Sequence, residues 1–158
     1  MVRKGGGLVD RRKFMSEISG MLRLVRTEYG LTQEKMADVL GISKKSLVES
    51  EKGRRPLGWT ETVAFVSVFS QSRILQNQYG GELSDMVAAL AFEDMEIKYP
   101  PTMGGRIWWK TVAEEGEFRV QQNIVSKHYR LLDGSNCRVM SSFDFDEIRR
   151  EMKCHAKG

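Results

Sequence analysis

Two lysines, Lys44 and Lys45, stand together directly after Ser43, and Lys52, Arg54 and Arg55 follow close behind. Ammonium and guanidinium groups gathered in this way bond phosphates and the acceptor edges of bases, provided a rigid element holds them outward. The flanking residues supply such an element. Residues 31–53, LTQEKMADVLGISKKSLVESEKG, spell two short helices with a turn between them. Thr32 offers an N-cap oxygen, with Leu31 and Met36 as an apolar staple, so the first helix starts at Gln33. Ala37 and Leu40 continue its buried face, and Gly41 allows the sharp exit. Ser43 repeats the cap, Ile42 and Leu47 the staple, and Gly53 supplies the left-handed end of the second helix. The spacing predicts a helix pair whose second member opens on the lysine pair, the arrangement that puts a helix end into the major groove of DNA.

The run Leu31-Thr32-Gln33, together with Ala37, Gly41 and the ending Glu51-Lys52-Gly53, resembles the helix-turn-helix of the lambda repressor and Cro family, also called the XRE family. The resemblance covers roughly residues 21–69. It implies that Lys44, Lys45 and Glu49 face base edges, lysine reading guanine O6 and N7 and glutamate accepting from cytosine N4. It implies that Gln33 holds a phosphate and braces the reading helix. Ser43, Ser46, Lys52, Arg54 and Arg55 would bond phosphates, which set position without reading sequence. Two residues depart from the family pattern. Ser50 stands in place of a large apolar residue and Val48 in place of a polar one, so the middle of the second helix is either rotated or repacked.

Charge distribution bears on the same expectation. Residues 1–60 hold 13 Lys and Arg against 7 Asp and Glu, a net of +6, whereas residues 61–158 hold 12 against 14, a net of −2. Positive charge concentrates in the half bearing the motif, as expected of a surface that displaces counterions from DNA. With about four phosphates per half-site, a dimer would show a slope of log affinity against log salt near roughly −7.

Phe14, Ile18, Met21, Leu22, Val25 and Tyr29 fall on one helical stripe, which predicts a first helix from about Asp10 to Tyr29 covering the motif. Trp59, Val63, Val66 and Phe69 predict a fourth helix after a loop at Pro56 and Gly58. A basic arm, MVRKGGGLVDRRK, precedes them. Residues 1–69 are therefore read as arm and DNA-binding domain. Residues 70–99 are read as connecting or dimerisation helices, whose stripe of Leu83, Met86, Val87, Leu90 and Ala91 a partner subunit would cover. Residues 100–105, with Pro100, Pro101, Gly104 and Gly105, form the linker.

Residues 106–158 change period. Ile107, Trp109, Thr111 and Ala113, then Phe118, Val120, Gln122 and Ile124, alternate as strands do. Tyr129–Leu132 and Cys137–Ser141 flank an Asp133-Gly134-Ser135-Asn136 turn. Asp144 and Glu147 form a capping-box pair with Phe143 and Ile148 as staple, so a closing helix covers one sheet face. The expected fold class is a mainly α domain of four to five helices plus a small α+β module, an antiparallel meander with a helix. Trp108 and Trp109 must point to opposite sides of a strand, so either both pack, one on each side, or one fills a core while the other lines a dimer interface or a ligand pocket.

Catalytic signatures are missing: there is no Walker-type loop, no HExxH and no GxSxG, so no enzyme is expected. His128, His155, Cys137 and Cys154 lack zinc-finger spacing, and neither metal nor cofactor is expected. No apolar stretch reaches the roughly 18 residues that cross a bilayer, so no membrane partner is expected and a cytoplasmic location is. The reading is a homodimeric, sequence-specific transcriptional regulator that binds double-stranded DNA. A protein-interaction adaptor or antitoxin-like partner, whose C-terminal module binds another protein, is the alternative, and sensing of a small molecule by the same module is a third.

Overall fold

A stripe of apolar residues three and four apart can be buried only against other elements, and α1 (Arg11–Glu28) illustrates the rule. Its Phe14, Ile18, Leu22 and Val25 are fully buried. Asp10 caps its start by accepting from the Lys13 amide at 2.7 Å. The computed structural model describes residues 10–81, 83–98 and 108–157. The proposed linker, Ile107 and residues 1–9 of the basic arm lie outside the described residues, while residues 11–13 of that arm already belong to α1.

Five more helices follow: α2 (Gln33–Leu40), α3 (Lys44–Glu51), α4 (Trp59–Val68), α5 (Arg73–Tyr79) and α6 (Leu83–Ala91). After them come β1 (Trp109–Glu115), β2 (Phe118–Asn123), β3 (Tyr129–Leu132), β4 (Arg138–Ser142) and α7 (Phe145–Ala156). The chain divides into two compact units, Met1–Lys98 and Tyr99–Gly158. An α-helical N-terminal region and a small α+β module agree with the expected fold class.

In the first unit, Thr32 and Ser43 cap α2 and α3 as expected, and Gly41 takes a left-handed φ of 67° between them. Met36, Ala37, Leu40 and Leu47 join the buried face of α1 in one apolar core. Two expectations need correcting. The buried face of α4 is Thr62, Phe65 and Val66, with Val63 only half-buried, because the helix packs on α1 slightly rotated from the stripe its apolar residues suggest. More consequentially, the stripe of α6 is covered by its own chain. Leu83 and Leu90 are buried in the same core, Met86 and Val87 pack against it, and Leu75 of α5 is fully buried there.

Polar contacts tie α5 and α6 to α1 as well. Glu28 accepts from the Ser72 hydroxyl and from the Arg73 amide at 2.8 Å, holding the start of α5. Tyr79 donates to Glu17 at 3.0 Å, and burial followed by the Glu17 carboxylate pushes its phenol well up from the ordinary value. Arg11 donates to the Ala91 carbonyl at 3.0 Å, where the end of α6 leaves acceptors without helical partners. These helices therefore finish the first unit.

In the second unit the four strands form one antiparallel sheet in the order β1-β2-β3-β4. Val120 and Leu131 are buried against Ile148 and Met152 of α7. Asp144 caps α7 by accepting from the Asp146 and Glu147 amides, but the reciprocal half of the expected box is rerouted. Glu147 accepts from the Ser142 hydroxyl, which itself accepts from the Asp144 amide at 3.0 Å. The expected staple fails: Phe143 is 78% exposed, and Phe145 packs inward instead. The alternation expected along β1 fails too. A bulge between Thr111 and Ala113 pairs Thr111 with Gln121 and Ala113 with Val120, so these two residues face opposite sides of the sheet.

Ser50 decides between rotation and repacking in α3. It is 2% exposed and turned inward with Leu47, so the helix keeps its expected face and accommodates a small residue there. Among the described residues the Ser50 hydroxyl has no hydrogen-bond partner. A buried unpaired hydroxyl contributes nothing that a methyl group would lose. Ser50→Ala is expected to leave stability unchanged or to raise it by up to about 1 kcal/mol in urea denaturation, and a clear loss would mean that the hydroxyl is satisfied in solution.

Candidate nucleic-acid interface

Because Leu47 and Ser50 take the inner face of α3, the opposite face and the helix start are left outside. Lys44, Lys45 and Lys52 are exposed there, as are Arg54 and Arg55 in the turn that follows. No acidic residue occupies the first turn of α3. Lysines at a helix N-terminus oppose the macrodipole, so they add to a positive end that a stability-driven sequence would neutralise. The sum favours an anion.

Several of these cations are held by carboxylates. Lys44 Nζ lies 2.8 Å from Glu34 Oε1, a bond that holds the Glu34 carboxyl below its ordinary value. Arg54 reaches Glu49 at 3.3 Å, and Arg55 reaches Glu61 at 2.9 Å. Lys45 and Lys52 form no ion pair among the described residues. Exposed pairs of this kind are screened by solvent, contribute little to stability and can exchange their carboxylate for a phosphate at little cost. Glu49 is half-buried and shares its carboxylate with Arg54, whose backbone amide also donates to the Glu49 carbonyl at 3.0 Å.

The smaller polar residues serve the backbone. Ser43 Oγ accepts from the Ser46 amide at 3.0 Å and donates to Ser46 Oγ at 2.9 Å, so the pair first fixes the start of α3. Gln33 takes the bracing role: its Nε2 donates to Glu51 Oε2 at 2.9 Å, joining the start of α2 to the end of α3.

Glu51 is the residue whose importance is least visible in the sequence. Its side chain is 5% exposed and receives Arg26 Nε at 2.5 Å and Nη2 at 3.2 Å as well as Gln33. Arg26 also donates to the Leu31 carbonyl at 3.0 Å, securing the loop between α1 and α2. Burial alone pushes the Glu51 carboxyl up. The hydrogen bonds from Arg26 and Gln33, with the charges of Arg26 and Arg23, outweigh it and hold the group below the ordinary 4.5. One signal points to it: an acid in the last turn of a helix opposes the dipole and asks for a specific cation.

In the second unit, neither Trp108 nor Trp109 belongs to the apolar core packed on α7. Trp109 instead lies under the Arg130 guanidinium, 3.9 Å from its ring centroid. His128 meets the Trp109 ring edge-on, and His155 lies on α7 beside Glu151, so the two histidines sit on different elements. Cys137 and Cys154 are exposed free thiols. Among the described residues no helix is long and apolar enough to cross a membrane.

Comparison with protein-family models, curated proteins and solved structures returned no match to this chain.

Because the Glu51 carboxyl is depressed in the folded state, its contribution to stability is present above the unfolded value and is lost as pH falls through the lower folded value. Glu51→Gln leaves Arg26 without its anion and is expected to cost about 3 kcal/mol at neutral pH. Urea denaturation of both proteins across a pH series checks this. The gap between them should close as pH drops below 4.5, and parallel profiles would show that Glu51 is not the group responsible.

Proposed function

We propose that this chain is a sequence-specific regulator of transcription that binds duplex DNA through the outward start of α3 and acts as a homodimer. The observation that carries the reading is the exposed lysine pair at that helix start, with no acid in the first turn of α3 and with Lys44 paired only to the exposed Glu34 of α2, on a helix whose far end is anchored to α1 and α2 by Glu51. In this reading Lys44 exchanges Glu34 for a base or phosphate oxygen, and Lys45 reads guanine directly. Glu49 accepts from a cytosine amino group while Arg54 keeps its charge balanced. Lys52, Arg54 and Arg55 bond phosphates, joined by Gln33, Ser43 and Ser46 where their internal bonds leave a donor or lone pair to share.

An eight-residue helix spans only a few base pairs, too few to select one site among many. Two copies related by a two-fold axis would place equivalent helices about 34 Å apart on a pseudo-palindromic site. Such pairing would have to use a surface other than the stripe of α6.

Selection of bound duplexes from a random pool should enrich a sequence with two related half-sites. K44A/K45A should weaken binding to that sequence by about 2–4 kcal/mol and erase the enrichment. Failure to enrich any sequence, or full retention of binding by the double variant, would sink the reading.

A further inference from the structure

The sheet of the second unit has two unlike faces. One carries Ala113, Val120, Leu131 and Met140 against α7. On the face turned away from α7, strand register places Glu114, Arg119, Leu132 and Arg138 in one row, and Thr111, Gln121, Arg130 and Ser141 in the next. Arg138 reaches this face because a second register shift, opposite Leu131 and Leu132, pairs it with Leu132 while Met140 pairs with Leu131. Three guanidinium groups thus share a face with one strand carboxylate, Glu114, and no ion pair involves any of the three among the described residues.

The groups are also held in place. Arg130 donates to Gln121 Oε1 from Nε at 3.0 Å and from Nη2 at 2.7 Å, while Gln121 donates to Thr111 Oγ1 at 3.3 Å. Trp109 supports the guanidinium from its other side at 3.9 Å. Arg119 Nε is enclosed without a hydrogen-bond partner among the described residues, and Leu132 between Arg119 and Arg138 is only 5% exposed. Burial, then the like charges of Arg138 and Arg119, push the Arg130 guanidinium below its ordinary range. Clustered cations without counter-charge repel one another, a cost that a polyanion laid across them would relieve.

We propose that this arginine-bearing sheet face is a second contact surface for duplex DNA, with Arg119, Arg130 and Arg138 bonding phosphates and guanine edges. The dimensions suit a duplex: adjacent strands lie about 4.8 Å apart, so arginines on three neighbouring strands span about 10 Å, close to the roughly 12 Å width of a major groove whose bordering phosphates they would bridge. A single strand is the poorer fit. Its bases need several open aromatic platforms, but the Trp109 ring is occupied by Arg130 and His128, Phe118 and Tyr129 belong to the face packed on α7, and the exposed Phe143 beside His128 offers a single ring. The proposal rests on residues other than those of α3, so either surface can hold if the other fails.

The test uses the full chain and a fluorescein-labelled duplex of mixed sequence, titrated by anisotropy over a salt series. R119Q/R130Q/R138Q is expected to lower affinity about tenfold or more near 0.1 M salt, and to make the slope of log affinity against log salt shallower by about 2 to 3. A triple variant with the parent's circular dichroism and unfolding midpoint, but unchanged affinity and slope, overturns the proposal. Should the triple variant unfold, R138E, exposed on edge strand β4, carries the test: loss of affinity supports the proposal and retention overturns it. Tighter binding of single-stranded DNA or RNA than of duplex, abolished by the arginine substitutions, overturns the duplex assignment. If K44A/K45A leaves mixed-sequence and selected duplexes equally well bound while the arginine variants bind weakly, the reading of α3 fails and the sheet surface stands.

Discussion

A carboxylate with almost no access to water must be met by cations and donors, and Glu51, on α3, is met from both helices before it. Arg26 reaches it from the last turn of α1, where a cation is favoured, and Gln33 reaches it from the first turn of α2. The apolar core behind them supplies most of the burial, but hydrophobic contact has no direction. The Arg26-Glu51-Gln33 network does, and it fixes the end of α3 against the elements before it. With that end fixed and Ser43 capping the other, α3 has little freedom to roll, and its lysines keep their outward set. The function we propose for the helix start depends on a bond made at its opposite end.

The second unit works with less. Its fully buried centre is essentially Val120, Leu131, Ile148 and Met152, small even for a domain of this size. Hairpin pairing and the capped start of α7 make up the difference, through the Asp144 and Ser142 bonds. Its charges are balanced in number but not in placement: residues 108–157 carry 9 Lys and Arg against 8 Asp and Glu. Along α7, Asp146, Glu147 and Glu151 are matched by Arg149, Arg150 and Lys153, whereas the sheet face that α7 does not cover carries three arginines against Glu114. A net-charge argument would pass over this unit, because the field that matters is set by which side of a pleat each residue takes.

Local signals make the helix pair legible from its residues alone. Caps at Thr32 and Ser43, and glycines at Gly41 and Gly53 with φ of 67° and 71°, act within a few residues of where they are read. What depends on distant partners is not legible. The stripe of α6 announces that it must be buried, but not that α4 and the shared core of its own unit rather than another subunit would bury it. Arg26 and Glu51 are 25 residues apart, and nothing local links them. In the module, alternation identifies the strands but not the shifts in register, so simple spacing puts Thr111 and Ala113 on one side where the bulge parts them. Phe143 and Phe145 offer two candidates for one apolar contact, and the geometry of the Asp144 cap selects the second.

The bulged strand β4 has a consequence for how this module can vary. Between Arg138 and Met140 sits Val139, an extra residue that delivers a cation to one side of the sheet and a hydrophobe to the other although two positions separate them. The polarity of the two sides is therefore written partly as a shift in pairing. Exchanging the Val139 side chain, which is 38% exposed, perturbs little, and excising that residue would leave Arg138 and Met140 adjacent, on opposite sides by plain alternation. Straightening the strand with Val139 kept would instead put both on one side and drive the guanidinium of Arg138 toward Ile148 and Met152. The segment should thus tolerate substitution or loss of this residue far better than loss of the bulge.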